Sequence, residues 1–254
     1  MRTLLALILV ALAPFAAAQA PVIAAAADLK FALTEIADAY RRETGNEVRI
    51  AFGSSGNFTQ QIEHGAPFEL FLSADEAYVE RLAAEGLTRD GGTLYAIGRV
   101  ALFVPRNSPL ADDATLADLR RAVREGRVRR FAIANPEHAP YGRAAREVLR
   151  RAGLWEAITP SLVLGENASQ AMQFAAGGGA EGGIVPWSLA KAPEAAKLGT
   201  AVLLPAEWHR PLRQRMVLTK SAGPQAAAFR AYLDTPGARA IFVRNGFALP
   251  GEGG

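Results

Sequence analysis

The chain has 254 residues, no cysteine and a formal net charge of +3. This length is enough for one large or two modest domains with proper cores. The lack of cysteine excludes disulfides, thiolate metal sites and thiol nucleophiles. The mild positive charge does not predict a nucleic-acid partner, because the most basic stretch, residues 120–130, is typical of a solvated helix-and-turn face.

Residues 1–20 predict a cleaved secretory signal peptide. A short basic start is followed by an apolar run from Leu4 to Phe15, and small residues offer cleavage sites after Ala18 or Ala20. The run is too short to span a membrane, and no later stretch is apolar and long enough to do so. An exported protein without cysteines is typical of the bacterial periplasm, so we expect that location.

Beyond the leader, short apolar strands alternate with amphipathic helices, which predicts an α/β fold with mainly parallel sheets flanked by helices. In the first expected helix, residues 29–42, Leu29, Leu33, Ile36 and Tyr40 recur at steps of three and four. The further expected elements of this unit are a strand at 48–52, a helix to 64, a strand at 68–72, a helix to 86 and a strand at 99–104. A capping box of Ser73 and Glu76 is expected to start the helix that ends at 86.

A second unit follows, and the pattern then returns to the first. The expected elements are helix 115–124, strand 131–134, loop 135–142, helix 143–152, strand 161–164, helix 168–176, strand 183–186, strand 213–219 and helices 225–233 and 238–243. We therefore predict two lobes, the first from residues 21–101 and 206–254, the second from residues 102–205. The two crossovers between the lobes, near 99–105 and 204–213, are the expected hinge.

Four strand-to-helix turns share one character, since each leaves backbone N–H groups free at the positive end of a helix dipole. In an open parallel sheet such turns lie beyond the carboxyl ends of the strands, where ligands bind. Two turns come from each lobe, so we expect a small anion to bind between the lobes without help from lysine or arginine. The candidate binding residues are Ala27, Asp28, Ser54, Ser55, Tyr141, Asn167 and Ala168.

The sequence gives less support to a metal or cofactor site and to an enzyme active site. The three histidines lie far apart and form no ligand-like pair, so neither a protein-bound metal nor a cofactor is expected. Ser54 and Ser55 lie at a turn like that of a hydrolase nucleophile, but Gly-Ser-Ser-Gly is not Gly-x-Ser-x-Gly, and we predict no catalytic residue. Three function classes stay open: a transport receptor for an oxyanion, a binder or sensor of another small anion, and an enzyme. We favour the first.

Several motifs occur in a characteristic order: AAADLKFAL, FGSSGNFTQQI, GAPFELFLSADE, YAIGRV, NPEHAPYG and KSAGPQAAAF followed by NGF. In this the chain resembles the molybdate-binding proteins of bacterial ABC transporters, the family often called ModA. The resemblance implies a two-lobed periplasmic binding protein fold of type II with a two-crossover hinge. It also implies capture of molybdate or tungstate in the interlobe cleft and delivery to a permease at the inner membrane. We expect the protein to be a monomer.

Transferred residue by residue, the resemblance implies that Ser55 binds the anion through its hydroxyl and amide, and that Tyr141 and Ala168 bind through their amides. Pro186 replaces a cleft tyrosine found in many members. Asp28 replaces a serine, and each unit of anion charge about 4 Å from its carboxylate would cost about 4 kcal/mol at an effective dielectric constant of about 20. We expect either that the carboxylate caps its own helix or that a protonated oxyanion donates to it. On the first reading, Asp28→Ser tightens molybdate binding severalfold.

Overall fold

The computed structural model describes residues 19–251. The predicted signal peptide lies outside the described residues except for its last two positions. Within residues 19–251, no helix is both long enough and apolar enough to cross a bilayer.

Two five-stranded sheets form two lobes. The first sheet has the order β2-β1-β3-β10-β4 and the second β7-β6-β8-β5-β9. The strands are β1 Val22–Ala26, β2 Arg49–Gly53, β3 Leu70–Ser73, β4 Thr93–Gly98, β5 Val100–Pro105, β6 Phe131–Ala134, β7 Leu162–Gly165, β8 Gly182–Pro186, β9 Gly199–Leu203 and β10 Leu212–Leu218. In each sheet one strand, β10 or β5, runs antiparallel to both of its neighbours, and the other strands run in one direction. The predicted α/β fold with mainly parallel sheets is confirmed.

Helices cover both sheets. The first lobe carries α1 Lys30–Thr44, α2 Ser55–Glu63, α3 Glu76–Ala84, α10 Pro224–Tyr232 and α11 Pro236–Arg244. The second lobe carries α4 Ala117–Arg124, α5 Pro140–Arg151, α6 Trp155–Ile158, α7 Ala168–Ala176, α8 Trp187–Ala190 and α9 Pro193–Ala196. Buried apolar residues of both lobes join in one large cluster, which includes β1, β5, β6 and the inner faces of α1 and α5.

The chain crosses between the sheets twice. Only Arg99 separates the end of β4 from the start of β5, whereas eight residues, 204–211, separate β9 from β10. The Arg99 guanidinium donates to the Leu204 carbonyl oxygen over 3.3 Å, so the two crossovers touch. The predicted lobe boundaries at 101/102 and 205/206 fall close to these segments and stay a prediction.

Strand pairing places the helix starts side by side. Parallel β1 and β2 are in register from Val22↔Arg49 to Ala26↔Gly53, so the turns that follow them leave the sheet at one edge. In the second lobe β6 and β7 end together at Ala134↔Gly165. Because parallel strands have their carboxyl ends at the same edge of a sheet, each lobe presents two helix starts towards the other.

Some expected elements differ from those observed. The helix α3 is capped by Asp75, whose side chain accepts from the Ala77 amide over 2.9 Å, and not by Ser73. The reason is that Ser73 is still part of β3, where it pairs with Arg215 of β10. The helix α5 begins at Pro140, three residues earlier than expected, because proline is favoured in a first helical turn. Strands β4 and β9 and the short helices α6, α8 and α9 were not predicted.

Candidate functional site

The four predicted turns meet in one small cavity between the lobes. Its wall is formed by Ala26, Ala27, Asp28, Gly53, Ser54, Ser55, Ala74, Ala139, Pro140, Tyr141 and Ala168. Six of the seven predicted binding residues are in this wall. The seventh, Asn167, is not: its side-chain oxygen accepts from the Gln170 amide over 3.1 Å and so caps α7. The wall contains no lysine, arginine or histidine.

The first turn belongs to a short 3-10 helix, Ala27–Leu29, directly after β1. No side chain caps this helix. Hydroxyl groups of the second lobe bind its carbonyl oxygens instead: Ser169 donates to the Ala27 oxygen over 2.9 Å, and Ser188 to the Asp28 oxygen over 2.8 Å. The carbonyl groups of Ala27 and Asp28 are therefore engaged, and both residues line the cavity.

The second turn places Ser54 before α2 and Ser55 at its first position. Ser54 has extended backbone angles, and its hydroxyl oxygen accepts from the Asn57 amide over 3.3 Å, as expected of an N-cap. Ser55 is fully buried, and its hydroxyl oxygen accepts from the Ala74 amide over 3.0 Å. The Ser55 hydroxyl proton therefore points away from Ala74 and can be donated to a guest in the cavity.

The buried amides of Ser55, Tyr141 and Ala168 lie at helix starts around the cavity and have no hydrogen-bond partner among the described residues. An α-helix cannot supply partners for its first N–H groups, so these donors need a group from outside the helix. Tyr141 follows Pro140, which has no N–H, and Ala168 follows the Asn167 cap. Two of the three donors come from the second lobe and one from the first.

The carboxylate of Asp28 is the unusual part of the wall. It is 1 % exposed, and its Oδ2 accepts from the Gln214 side-chain amide over 2.6 Å, whereas its buried Oδ1 has no partner in the described chain. Burial raises the pKa of Asp28 from 3.8 to about 6, against the opposing effect of hydrogen bonds with Gln214 and the Tyr141 hydroxyl. The carboxylate binds Gln214 and does not cap its helix, whereas the alternative of a protonated oxyanion that donates to Asp28 stays a prediction.

Gln214 and Tyr95 belong to the site but were not predicted. Gln214 also donates to the Tyr141 hydroxyl over 3.2 Å and accepts from the Tyr95 hydroxyl over 2.8 Å. A signal for Gln214 was present, because it takes an inward position between Leu212 and Met216 on β10 and is fully buried. A polar residue at an inward strand position must find partners, which marks it as part of a buried polar cluster.

His138 reaches across the cleft. Its Nδ1 lies 3.0 Å from the Ser54 hydroxyl, its carbonyl oxygen accepts from the Gly56 amide over 2.9 Å, and its Nε2 lies 3.5 Å from Glu166. Ser54 and His138 are 84 positions apart in the sequence, so only the fold brings them into contact. Ser54 is 4 % exposed, and its hydroxyl caps α2 while it also contacts His138 of the second lobe, so this contact joins the lobes.

Pro186, which stands where many members of the family have a cleft tyrosine, pairs with Val100 at the end of β8 and is not in the cavity wall.

No group of three or more histidine, aspartate or glutamate side chains within residues 19–251 is placed to hold a metal ion.

Known proteins match this chain over most of its length. Residues 21–248 match the family described as bacterial extracellular solute-binding protein. The chain is 38% identical to the molybdate-binding protein ModA of Rhodobacter capsulatus, over 96% of this chain and 94% of that protein. It is 36% identical to ModA of Azotobacter vinelandii, over 89% of each. The solved Azotobacter vinelandii periplasmic molybdate-binding protein superposes with a TM-score of 0.80 at 31% identity, covering 91% of this chain and 99% of that one. The chain therefore belongs to the bacterial extracellular solute-binding proteins and, within them, to the ModA family.

Proposed function

We propose that this chain is a periplasmic receptor that captures molybdate or tungstate between its lobes and delivers it, as a monomer, to an ABC permease in the inner membrane. The observation that carries the proposal is the convergence of three buried, unpartnered amides with the Ser55 hydroxyl in one cavity. These donors come from both lobes, so a guest that binds all of them also holds the lobes together.

The donors suit an anion with several equivalent oxygens. Each helix start contributes about 0.3–1 kcal/mol when exposed and up to about 2 kcal/mol when partly buried. Each hydrogen bond to a charged oxygen adds about 1.5–3 kcal/mol. Because the residues that carry these donors are buried, the interactions act in a lower dielectric and are stronger than they would be on a surface.

The relatives support the choice of guest. Relatives that are 38%, 36% and 31% identical to this chain are named as molybdate-binding proteins. A second candidate function is the binding or sensing of a protonated oxyanion or an organic carboxylate. Asp28 favours it, because a guest that carries its own proton could donate to the unpartnered Oδ1.

A thermal-shift screen with molybdate, tungstate, sulfate, phosphate and a few carboxylates tests the proposal. A ligand that binds only the folded state at 100 times its Kd stabilises that state by about 2.7 kcal/mol. For a chain of this size, that corresponds to a rise in Tm of about 5–11 °C. We expect this rise with molybdate and tungstate only. A rise with phosphate or a carboxylate and none with molybdate would favour the second candidate.

A further inference from the structure

Asp28 presents a buried acceptor to the cavity that the proposed function does not explain. The residue is 1 % exposed, lies in the cavity wall, and has one carboxylate oxygen, Oδ1, without a partner within the described residues. The other oxygen is held by Gln214 over 2.6 Å, which fixes the orientation of the carboxyl group. The hydrogen bond from Gln214 therefore also fixes the position of Oδ1.

The groups that face this carboxyl are neutral. Gln214 of β10 and the Tyr141 hydroxyl of α5 approach the carboxyl group directly. Tyr95 of β4 contacts Gln214 and so reaches the carboxyl group only indirectly. The His138 ring is hydrogen-bonded to the wall at the Ser54 hydroxyl. No lysine or arginine lines the cavity to neutralise an ionised carboxylate. A doubly charged guest would be repelled by an ionised Asp28, whereas a protonated Asp28 could donate a hydrogen bond from Oδ1 to it.

We propose that oxyanion capture by this chain is coupled to the uptake of one proton, which Asp28 holds on Oδ1 and donates to the bound anion in a hydrogen bond. The inference rests on the proposed function and deepens it. The proton comes from solvent, the carboxylate becomes a carboxylic acid, and no bond of the anion breaks. Asp28 then acts as a fifth donor beside the Ser55 hydroxyl and the amides of Ser55, Tyr141 and Ala168.

A definite pH dependence follows. Burial holds the pKa of Asp28 near 6 without a guest, and a bound dianion raises it further. Above about pH 6, one proton must be taken up for each anion, so the Kd rises about tenfold for each pH unit. Tyr95 and Tyr141 stay protonated throughout, because burial and the nearby Asp28 charge raise the pKa of both well above the usual value.

The test is titration calorimetry with molybdate between pH 7 and pH 9, each point measured in two buffers with different ionisation enthalpies. For the unaltered chain we expect uptake of about one proton per anion and a Kd that rises about 100-fold across the range. This measurement needs no variant, so the inference remains testable even if substitution of Asp28 impairs folding.

Asp28→Asn provides the second arm. The Asn oxygen can accept from Gln214 while its NH₂ group takes the place of Oδ1, so the variant mimics the protonated acid. We expect it to bind about 100-fold tighter than the unaltered chain at pH 8, with no proton uptake. The matched control is Asp38→Asn on the exposed face of α1, which should keep the slope and the uptake of the unaltered chain. A pH dependence of the Kd in Asp28→Asn as steep as that of the unaltered chain would overturn the inference.

Two outcomes separate the inference from the proposed function. Molybdate binding with a constant Kd from pH 7 to pH 9 and no proton uptake would overturn the inference and leave the proposed function intact. Failure of the unaltered chain to bind molybdate or tungstate at any pH would overturn both.

Discussion

Gly56 offers a direct test of whether anion binding requires the lobes to meet as they do in this structure. An alanine Cβ at position 56 would lie 2.6 Å from the His138 carbonyl oxygen and 3.0 Å from the His138 Cα. Both atoms are backbone atoms of the second lobe, so no side chain can rotate away. To reach an ordinary contact of at least 3.4 Å, the lobes must separate here by about 0.8 Å.

The expected cost of Gly56→Ala is the sum of two effects. The hydrogen bond from the Gly56 amide to His138, 2.9 Å long, is lost at about 1 kcal/mol. The overlap costs about 1–3 kcal/mol, as in other overpacked sites. Together these raise the Kd for molybdate about 30- to 1,000-fold, measured by titration calorimetry.

Gly56→Ala should weaken molybdate binding but increase the free energy of unfolding. Gly56 lies in the first turn of α2 without a positive φ, and alanine is more favourable than glycine within a helix by about 0.5–1 kcal/mol. The matched control is Gly237→Ala, at the same position of α11, where an added Cβ meets no heavy atom within 4 Å. The control should bind like the unaltered chain. If Gly56→Ala also bound molybdate with unaltered affinity, the role assigned to this contact would be refuted.

Three further predictions concern the cavity and the contacts across it. Ser55→Ala removes a hydroxyl donor and leaves the buried Ala74 amide unpartnered, so we expect a 10- to 100-fold higher Kd; calorimetry showing no change would exclude the hydroxyl from the site. For Asp28, whose folded pKa is raised, the stability gained from the protonated form is complete below about pH 4 and is lost as the pH rises through about 6. The unfolding free energy of Asp28→Asn minus that of the unaltered chain should therefore increase by about 3 kcal/mol between pH 4 and pH 8. Urea titrations that give the same difference at both pH values would contradict this. Arg143→Gln removes an ion pair of 2.5 Å with Asp75 and a contact 5.0 Å above the Tyr78 ring, both across the cleft, so the Kd should rise about 3- to 10-fold, and less in 1 M salt. Arg244→Gln, which breaks an exposed pair with Glu35 inside the first lobe, is its control and should not change the Kd.

Local sequence patterns were sufficient for the elements that place the site. The strand at 131–134 and the helix at 168–176 occur where the apolar periodicity predicts them, because each alternates cleanly between buried and exposed faces or is buried throughout. The helix starts at Ser55 and Ala168 could be identified from their capping residues, Ser54 and Asn167.

The start of α3 and the environment of Asp28 could not be predicted, because both depend on contacts between residues distant along the chain. Ser73 satisfies a capping pattern, but its pairing with Arg215, more than a hundred residues later, keeps it in a strand. The environment of Asp28 is determined by Gln214 and Tyr141, which reach it from another strand and from the other lobe. No local pattern reports such partners, so the burial of the carboxylate and its shifted pKa required the three-dimensional structure.

The single residue between β4 and β5 restricts how the two halves of the molecule can pivot. Any rotation must be absorbed by the backbone torsions around Arg99 and along residues 204–211, because both sheets are continuous up to those points. Gly98, at the end of β4, lies against the phenol oxygen of Tyr141, where an added Cβ would approach that oxygen to within 2.3 Å. The Tyr141 side chain thus lies next to the hinge, and Tyr141 is also part of the cavity wall. We therefore expect a bulkier residue at position 98 to hold the two lobes apart without contacting the bound anion.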